Sequence, residues 1–121
     1  MLDIDNFKDI NDKYGHQVGD HVLKQLAGVL QKIVRKTDIV SRWGGEEFAV
    51  VLPKTDIEEA VKIGNRIRMA VEQCLFCYDK IICGITVSIG ITSAKCQADI
   101  DMEQFFKIAD KALYKAKERK N

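Results

Sequence analysis

Two short apolar runs, Asp38 to Arg42 and Phe48 to Leu52, are separated only by Trp43-Gly-Gly-Glu-Glu47. Twin glycines between strand-forming runs specify a hairpin. Pro53 ends the second run, because proline cannot donate to a strand ladder. The segments on either side then narrow the fold. Met1-Leu-Asp-Ile-Asp-Asn-Phe7 alternates apolar and polar residues with period two and reads as a strand. A polar loop is expected at Asn11-Asp-Lys-Tyr-Gly-His16, followed by a helix from about Val18 to Arg35. In that helix Val22, Leu26, Val29 and Ile33 form one stripe.

After the hairpin, Thr55-Asp-Ile-Glu58 reads as a capping box that opens a second helix, reaching about Gln73. Ile85, Val87, Ile89 and Ile91 alternate within Ile81 to Thr92, the fourth predicted strand. Asp101-Met-Glu-Gln104 opens a last helix carrying Phe105, Phe106, Ala109, Ala112, Leu113 and Ala116. The order strand-helix-strand-strand-helix-strand, then helix, is the α+β split βαβ arrangement, ferredoxin-like or palm-type, with an antiparallel central sheet. Its usual strand order makes the first and third strands neighbours. The Asp3/Asp5 end of the first strand then lies beside the turn bearing Glu46 and Glu47.

The 121 residues fit one domain, 1–121. Nineteen basic and 18 acidic side chains give a net charge of +1, which argues against a nucleic-acid binder. Ile81 to Ile91 is too short and interrupted to span a bilayer, and no secretory leader is visible, so the expected compartment is the cytoplasm. Cys74-Leu-Phe-Cys77 has the spacing of half a zinc site, but no second close pair accompanies it. Cys74, Cys77, Cys83 and Cys96 are therefore expected as reduced thiols.

Asp3 and Asp5 are two apart on a strand and point to one face. Burying such carboxylates unpaired costs several kcal/mol each, roughly, or forces them neutral. Either they solvate a strand end, or they hold a divalent cation. All-oxygen ligation favours Mg²⁺ or Mn²⁺ over zinc, and Mg²⁺ is the usual partner of nucleotide phosphates. Gly44-Gly45 would let a backbone approach phosphate closely, with positive φ available. Glu46 and Glu47 repel one another, and a plain turn gains nothing from them. Lys8 is either a phosphate contact or a surface lysine.

These segments resemble the GGDEF family of diguanylate cyclases. The matching stretches are Asp3-Ile-Asp-Asn-Phe-Lys-Asp-Ile-Asn11, Gly15-His-Gln-Val-Gly-Asp20, Arg42-Trp-Gly-Gly-Glu-Glu-Phe48, Thr86-Val-Ser-Ile-Gly90 and Ala109-Asp-Lys-Ala-Leu-Tyr-Lys-Ala-Lys117. The resemblance implies a metal site made by Asp3, the carbonyl of Ile4 and Glu46. It implies catalysis by Glu46 and Glu47, with Glu46 acting on the attacking 3′-hydroxyl. Asn11 and Asp20 match guanine-reading positions; from the residues alone, Asn11 could be a turn residue and Asp20 a helix N-cap. Backbone amides of Asn6 and Phe7, with Lys8 and Lys117, would hold the triphosphate. Arg35-Lys-Thr-Asp38 resembles the family's product-inhibition motif, with Arg66 as a further contact; an arginine at a helix C-terminus is also a common dipole partner.

The implied reaction condenses two GTP into cyclic di-GMP with release of pyrophosphate, between two facing subunits of a homodimer. The chain starts within the family's first strand, so a leading helix and an upstream sensory module are expected before it, and the fragment alone is expected to be weakly active or inactive. Lys117-Glu-Arg-Lys-Asn121 departs from the family's Gly-Arg-Asn ending, which displaces a second basic phosphate contact. Alternative readings are a non-catalytic module sensing GTP or cyclic di-GMP, and a cyclase acting on ATP, against which Asp20 argues.

Overall fold

Alternation in the first residues decides which way the central strand faces. In the computed structural model, which describes residues 1–93 and 102–120, the elements are β1 (Leu2–Ile4), α1 (Phe7–Tyr14), α2 (His16–Ile33), β2 (Ile39–Arg42), β3 (Glu47–Val51), α3 (Ile57–Gln73), β4 (Phe76–Tyr78), β5 (Ile81–Cys83), β6 (Val87–Ile89) and α4 (Met102–Lys120). The main sheet has the order β2-β3-β1-β6 with antiparallel neighbours, so the expected α+β topology holds and β1 lies beside β3.

Leu2 pairs with Phe48 and Ile89, and Ile4 pairs with Val87. Paired residues share a face. That face is buried under α2 and α3, where Leu26, Leu30 and Val71 join Ile4 and Val87 at 0% exposure. Removing each such side chain from water contributes about 1.5–3 kcal/mol. Asp3 pairs with Glu47 and Ser88, one residue out of phase, so these three stand on the opposite face, toward α4. α4 lies close to β6 because Gly90 has no side chain; a Cβ there would overlap the backbone of Ala109 and Leu113.

Several local expectations need correction. The strand expected through Phe7 ends at Ile4, and the loop expected from Asn11 is helical as far as Tyr14: both belong in part to α1 (Phe7–Tyr14), launched by Asn6 at φ 56°. Phe7 is buried and Ile10 and Tyr14 pack on the core, a helical spacing hidden among six polar residues. Gly15, at φ 93°, turns the chain into α2, which begins at His16 rather than Val18 and ends at Ile33 rather than Arg35. Asp56, not Thr55, caps α3, accepting from the Glu59 N–H at 2.8 Å.

The run predicted as one strand from Ile81 to Thr92 divides. Its first part, β5, pairs with β4 in a separate hairpin whose turn includes Asp79 at φ 55°, and only β6 joins the main sheet. The predicted cap at Asp101 lies outside the described residues, as does Cys96. Cys74, Cys77 and Cys83 carry free thiols. Among the described residues, no helix is long and apolar enough to cross a membrane.

Candidate active site

The register that places Asp3 opposite Glu47 also sets the chemistry of the sheet face under α4. Asp3, Asp5, Glu46 and Glu47 converge there, with Lys117 of α4 as their counter-charge. The Lys117 Nζ lies 3.3 Å from Asp3 Oδ2 and 3.9 Å from Asp5 Oδ1, and it donates to the Ile4 carbonyl oxygen at 3.3 Å. Asp5 is held by two hydroxyls: Thr86 Oγ1 donates to Oδ2 at 2.7 Å and Ser88 Oγ to Oδ1 at 2.6 Å. Thr86 and Ser88 are two apart at the start of β6, so both face Asp5.

Three of these carboxyls, Asp3, Glu46 and Glu47, are hard to ionise. Burial raises the pKa of Asp3, partly opposed by Lys117 and by the nearby Glu46 carboxyl, while Asp5 adds to the rise. Burial also raises Glu46, with the Asp3 charge next in importance. The direct contact between these two carboxyls favours the proton on Glu46. Glu47 is raised by burial and then by Asp110, one turn along α4 from Leu113. Asp3 Oδ1 is buried with no hydrogen-bond partner. Among the described residues no three His, Cys, Asp or Glu side chains are gathered as a metal site, but the unpartnered Asp3 oxygen, the adjoining Ile4 carbonyl and the Glu46 carboxyl that contacts Asp3 are all oxygen donors, a chemistry that fits a hard divalent ion.

The β2–β3 turn holds Glu46 in place. Trp43 N–H donates to the Glu47 carbonyl at 2.8 Å, and Arg42 folds back onto the turn, Nη2 donating to the Gly45 carbonyl at 2.6 Å. Neither Gly44 nor Gly45 has positive φ, contrary to the conformational argument from sequence. A Cβ on Gly44 would make only an ordinary contact with Glu47, and one on Gly45 would meet open space. What glycine provides here is an unobstructed backbone on the outer side of the turn. Trp43 stacks on Phe106 of α4, ring centroids 4.6 Å apart, tying the turn to that helix.

The remaining predicted residues fall into two further places. Asn6, Phe7 and Lys8 form the N-terminus of α1, immediately after β1, and no side chain caps that end. Phe7 is 7% exposed, so its ring is committed to the core and only its backbone could meet a ligand. Asn11 lies on α1 against Gly19, where any Cβ would overlap its side chain; its Oδ1 is buried and unpartnered. Asn11 is thus a helix residue, not a turn residue. Asp20 is exposed in the second turn of α2, whose N-cap is Gly15, so it does not cap that helix.

Arg35 and Asp38 are at the other end of β2 from the Gly-Gly turn. Arg35 clasps Asp38 through Nε and Nη2, each at 3.1 Å, and donates to Thr55 Oγ1 at 2.6 Å. The Asp38 side chain is fully buried beneath Arg35, whose own side chain is 49% exposed. Arg66 is exposed on α3. Sequence reasoning missed Arg42, Asp110 and the pairing of Lys117 with Asp3. The charged Arg42 directly before a glycine turn and the i, i+7 spacing of Asp110 and Lys117 on one helix face were the available signals.

Known proteins resemble this chain along nearly its whole length. The family profile described as "Diguanylate cyclase, GGDEF domain" matches residues 1–121. The diguanylate cyclase DgcP of Pseudomonas aeruginosa is 45% identical over 97% of this chain and 17% of its own length. Diguanylate cyclase A of Treponema denticola is 42% identical over 98% of the chain and 32% of its own length. The chain therefore spans a third or less of these relatives. Among solved structures, the diguanylate cyclase SiaD of P. aeruginosa in complex with its activator SiaC superposes with a TM-score of 0.90 at 35% identity, covering 98% of this chain and 45% of that one. The GGDEF domain of DgcB from Caulobacter crescentus in complex with c-di-GMP gives 0.85 at 32% identity, covering 97% and 69%.

Each raised carboxyl has a defined effect on stability. A carboxyl whose folded pKa lies above its unfolded value contributes stability that is present below the unfolded pKa and lost as pH rises through the folded one. Glu46→Gln, which fixes the neutral form, should therefore raise Tm at pH 7.5. The gain should shrink as pH falls and vanish below the ordinary Glu value of 4.5. Thermal melts of both proteins between about pH 4 and pH 7.5 check this; a variant less stable than wild type at pH 7.5 would contradict the electrostatic reading.

Proposed function

Because this chain belongs to the GGDEF domain family of diguanylate cyclases, we propose that it condenses two GTP molecules into cyclic di-GMP with release of pyrophosphate, working as a homodimer. The observation that carries the proposal is the convergence of Asp3, the Ile4 carbonyl and Glu46, with the orphaned Asp3 Oδ1 among them. Those three groups would hold Mg²⁺ or Mn²⁺, which when bound supplies charge neutralisation at the phosphates and acidifies the 3′-hydroxyl.

The protein's own groups do the rest by position and charge. The uncapped N–H groups at the start of α1, in Asn6, Phe7 and Lys8, point outward as donors suited to phosphate oxygens, aided by the helix dipole. The Lys8 side chain is exposed beside them. Asn11 and Asp20 read the guanine: a carboxylate accepts from N1–H and the exocyclic amine, donors that adenine does not offer in that pattern. The Asn11 Oδ1, buried against Gly19 and without a hydrogen-bond partner, would have to turn outward to accept from such a donor.

Glu46 is the group that accepts the 3′-hydroxyl proton. The 3′-oxygen then bonds to the α-phosphorus of the facing nucleotide, and the bond to the leaving pyrophosphate breaks. Glu47, paired with Asp110, completes the acidic face behind it. Two such transfers close the ring, which is why a second subunit is required. A GTP substrate places the domain in the cytoplasm, where upstream segments of a longer protein would control it.

Product inhibition is proposed at Arg35. Asp38 holds that guanidinium rigidly while leaving half of the side chain exposed to grip a guanine edge or a phosphate, with Arg66 as a further contact. Calorimetry with cyclic di-GMP should show binding to wild type that weakens at least about tenfold in Arg35→Ala. Equal affinity would remove this site from the account.

The reaction itself is tested by incubating the protein with Mg²⁺ and GTP, or with ATP, and identifying products by chromatography and mass spectrometry. GTP should yield cyclic di-GMP and ATP nothing cyclic. Glu46→Gln should lower the rate by about a hundredfold or more without loss of thermal stability. Binding of GTP with no product in wild type would favour a non-catalytic sensing module instead.

A further inference from the structure

The position of Lys117 has a consequence for how the site is filled. Its ammonium group touches two of the three groups assigned to the metal, Asp3 Oδ2 and the Ile4 carbonyl oxygen, each at 3.3 Å. It is also within 3.9 Å of Asp5. An ammonium cation in such a cradle stands where a metal cation's charge would stand. The surrounding carboxyls are Asp3, Asp5, Glu46 and Glu47, and two of them lie within 4 Å of the ammonium, so the cradle favours a positive charge.

We propose that Lys117 is a built-in placeholder cation: it neutralises the site before substrate arrives, and metal entry must displace it. This rests on the reading of Asp3, Ile4 and Glu46 as the metal site. The Ile4 carbonyl and Asp3 Oδ2 cannot give their lone pairs to a metal at full strength while they accept from the Lys117 ammonium, whose charge also repels the metal. The Lys117 side chain is 32% exposed and sits in the last turns of α4, so it can swing outward without unfolding the helix. Once released, its charge is free for the nucleotide's phosphates, near α1.

Displacement thus couples the two ligands. Metal alone must break the lysine's contacts, whereas metal arriving with a triphosphate gives the released ammonium a new partner. By linkage, each ligand then favours the other by the same factor. Lys117 is a regulator of the site in addition to contacting phosphate, and the free domain is kept from taking up divalent ions without nucleotide.

The test is the affinity of the nucleotide-free protein for Mn²⁺ alone, measured by calorimetry for wild type, Lys117→Met and Lys117→Arg. Breaking a partly exposed ion pair hinders metal entry by about two- to fivefold, so Lys117→Met should bind Mn²⁺ tighter by that factor. Lys117→Arg, which keeps a cation on the same helix, should stay near wild type. Matching thermal melts establish that the variants are folded. Equal or weaker Mn²⁺ binding by Lys117→Met, including no detectable binding by either protein, would overturn the placeholder role. If wild type nonetheless makes cyclic di-GMP from GTP, the functional reading survives that failure.

Discussion

One strand register governs this protein: Asp3 of β1 lies directly opposite Glu47 of β3. Like charges facing each other across a ladder are destabilising, and here burial adds to the repulsion. The arrangement persists because Leu2, Ile4 and Phe48, one residue out of phase, are locked into the apolar core on the other face. A slip of one residue would move the carboxylates into that core and the aliphatic residues out of it. Packing energy on one face therefore imposes electrostatic strain on the other, and that strain is what the proposed divalent ion would relieve.

α4 is the element that turns this strained face into a site. Gly90 lets its backbone come close to β6, and from there Lys117, Asp110 and Phe106 reach Asp3, Glu47 and Trp43 respectively. The helix is thus a lid of charge and aromatic contacts more than a contributor to the main core. At the opposite end of the β2–β3 hairpin, Arg35 and Asp38 form a second, self-contained charge cluster. The two clusters lie at the two ends of a single short hairpin.

Much of this was legible in the sequence. Period-two alternation in Leu2 to Ile4, with a two-glycine turn between the apolar runs that end at Arg42 and begin at Phe48, was enough to give the sheet order and to bring Asp3 beside the Glu46-Glu47 turn. Two things were not. The first helix hides its apolar stripe, Phe7, Ile10 and Tyr14, within a mostly polar segment, and its start depends on Asn6 adopting a left-handed conformation that composition does not announce. The hairpin of β4 and β5 depends on a turn at Asp79 and on packing against α2, where Gln25 bonds the Cys77 backbone. Pairings of side chains across distant elements, such as Lys117 with Asp3, follow from tertiary docking and leave no local pattern.

The central claim is that the fold collects Asp3, the Ile4 carbonyl and Glu46 around one divalent cation. Anomalous diffraction from crystals grown with Mn²⁺ and a non-reactive GTP analogue tests it most directly. The account predicts a manganese peak bonded to all three groups, with the Lys117 ammonium moved off the Ile4 carbonyl. A peak bonded only to phosphate oxygens, or none on this face of the sheet, would contradict it.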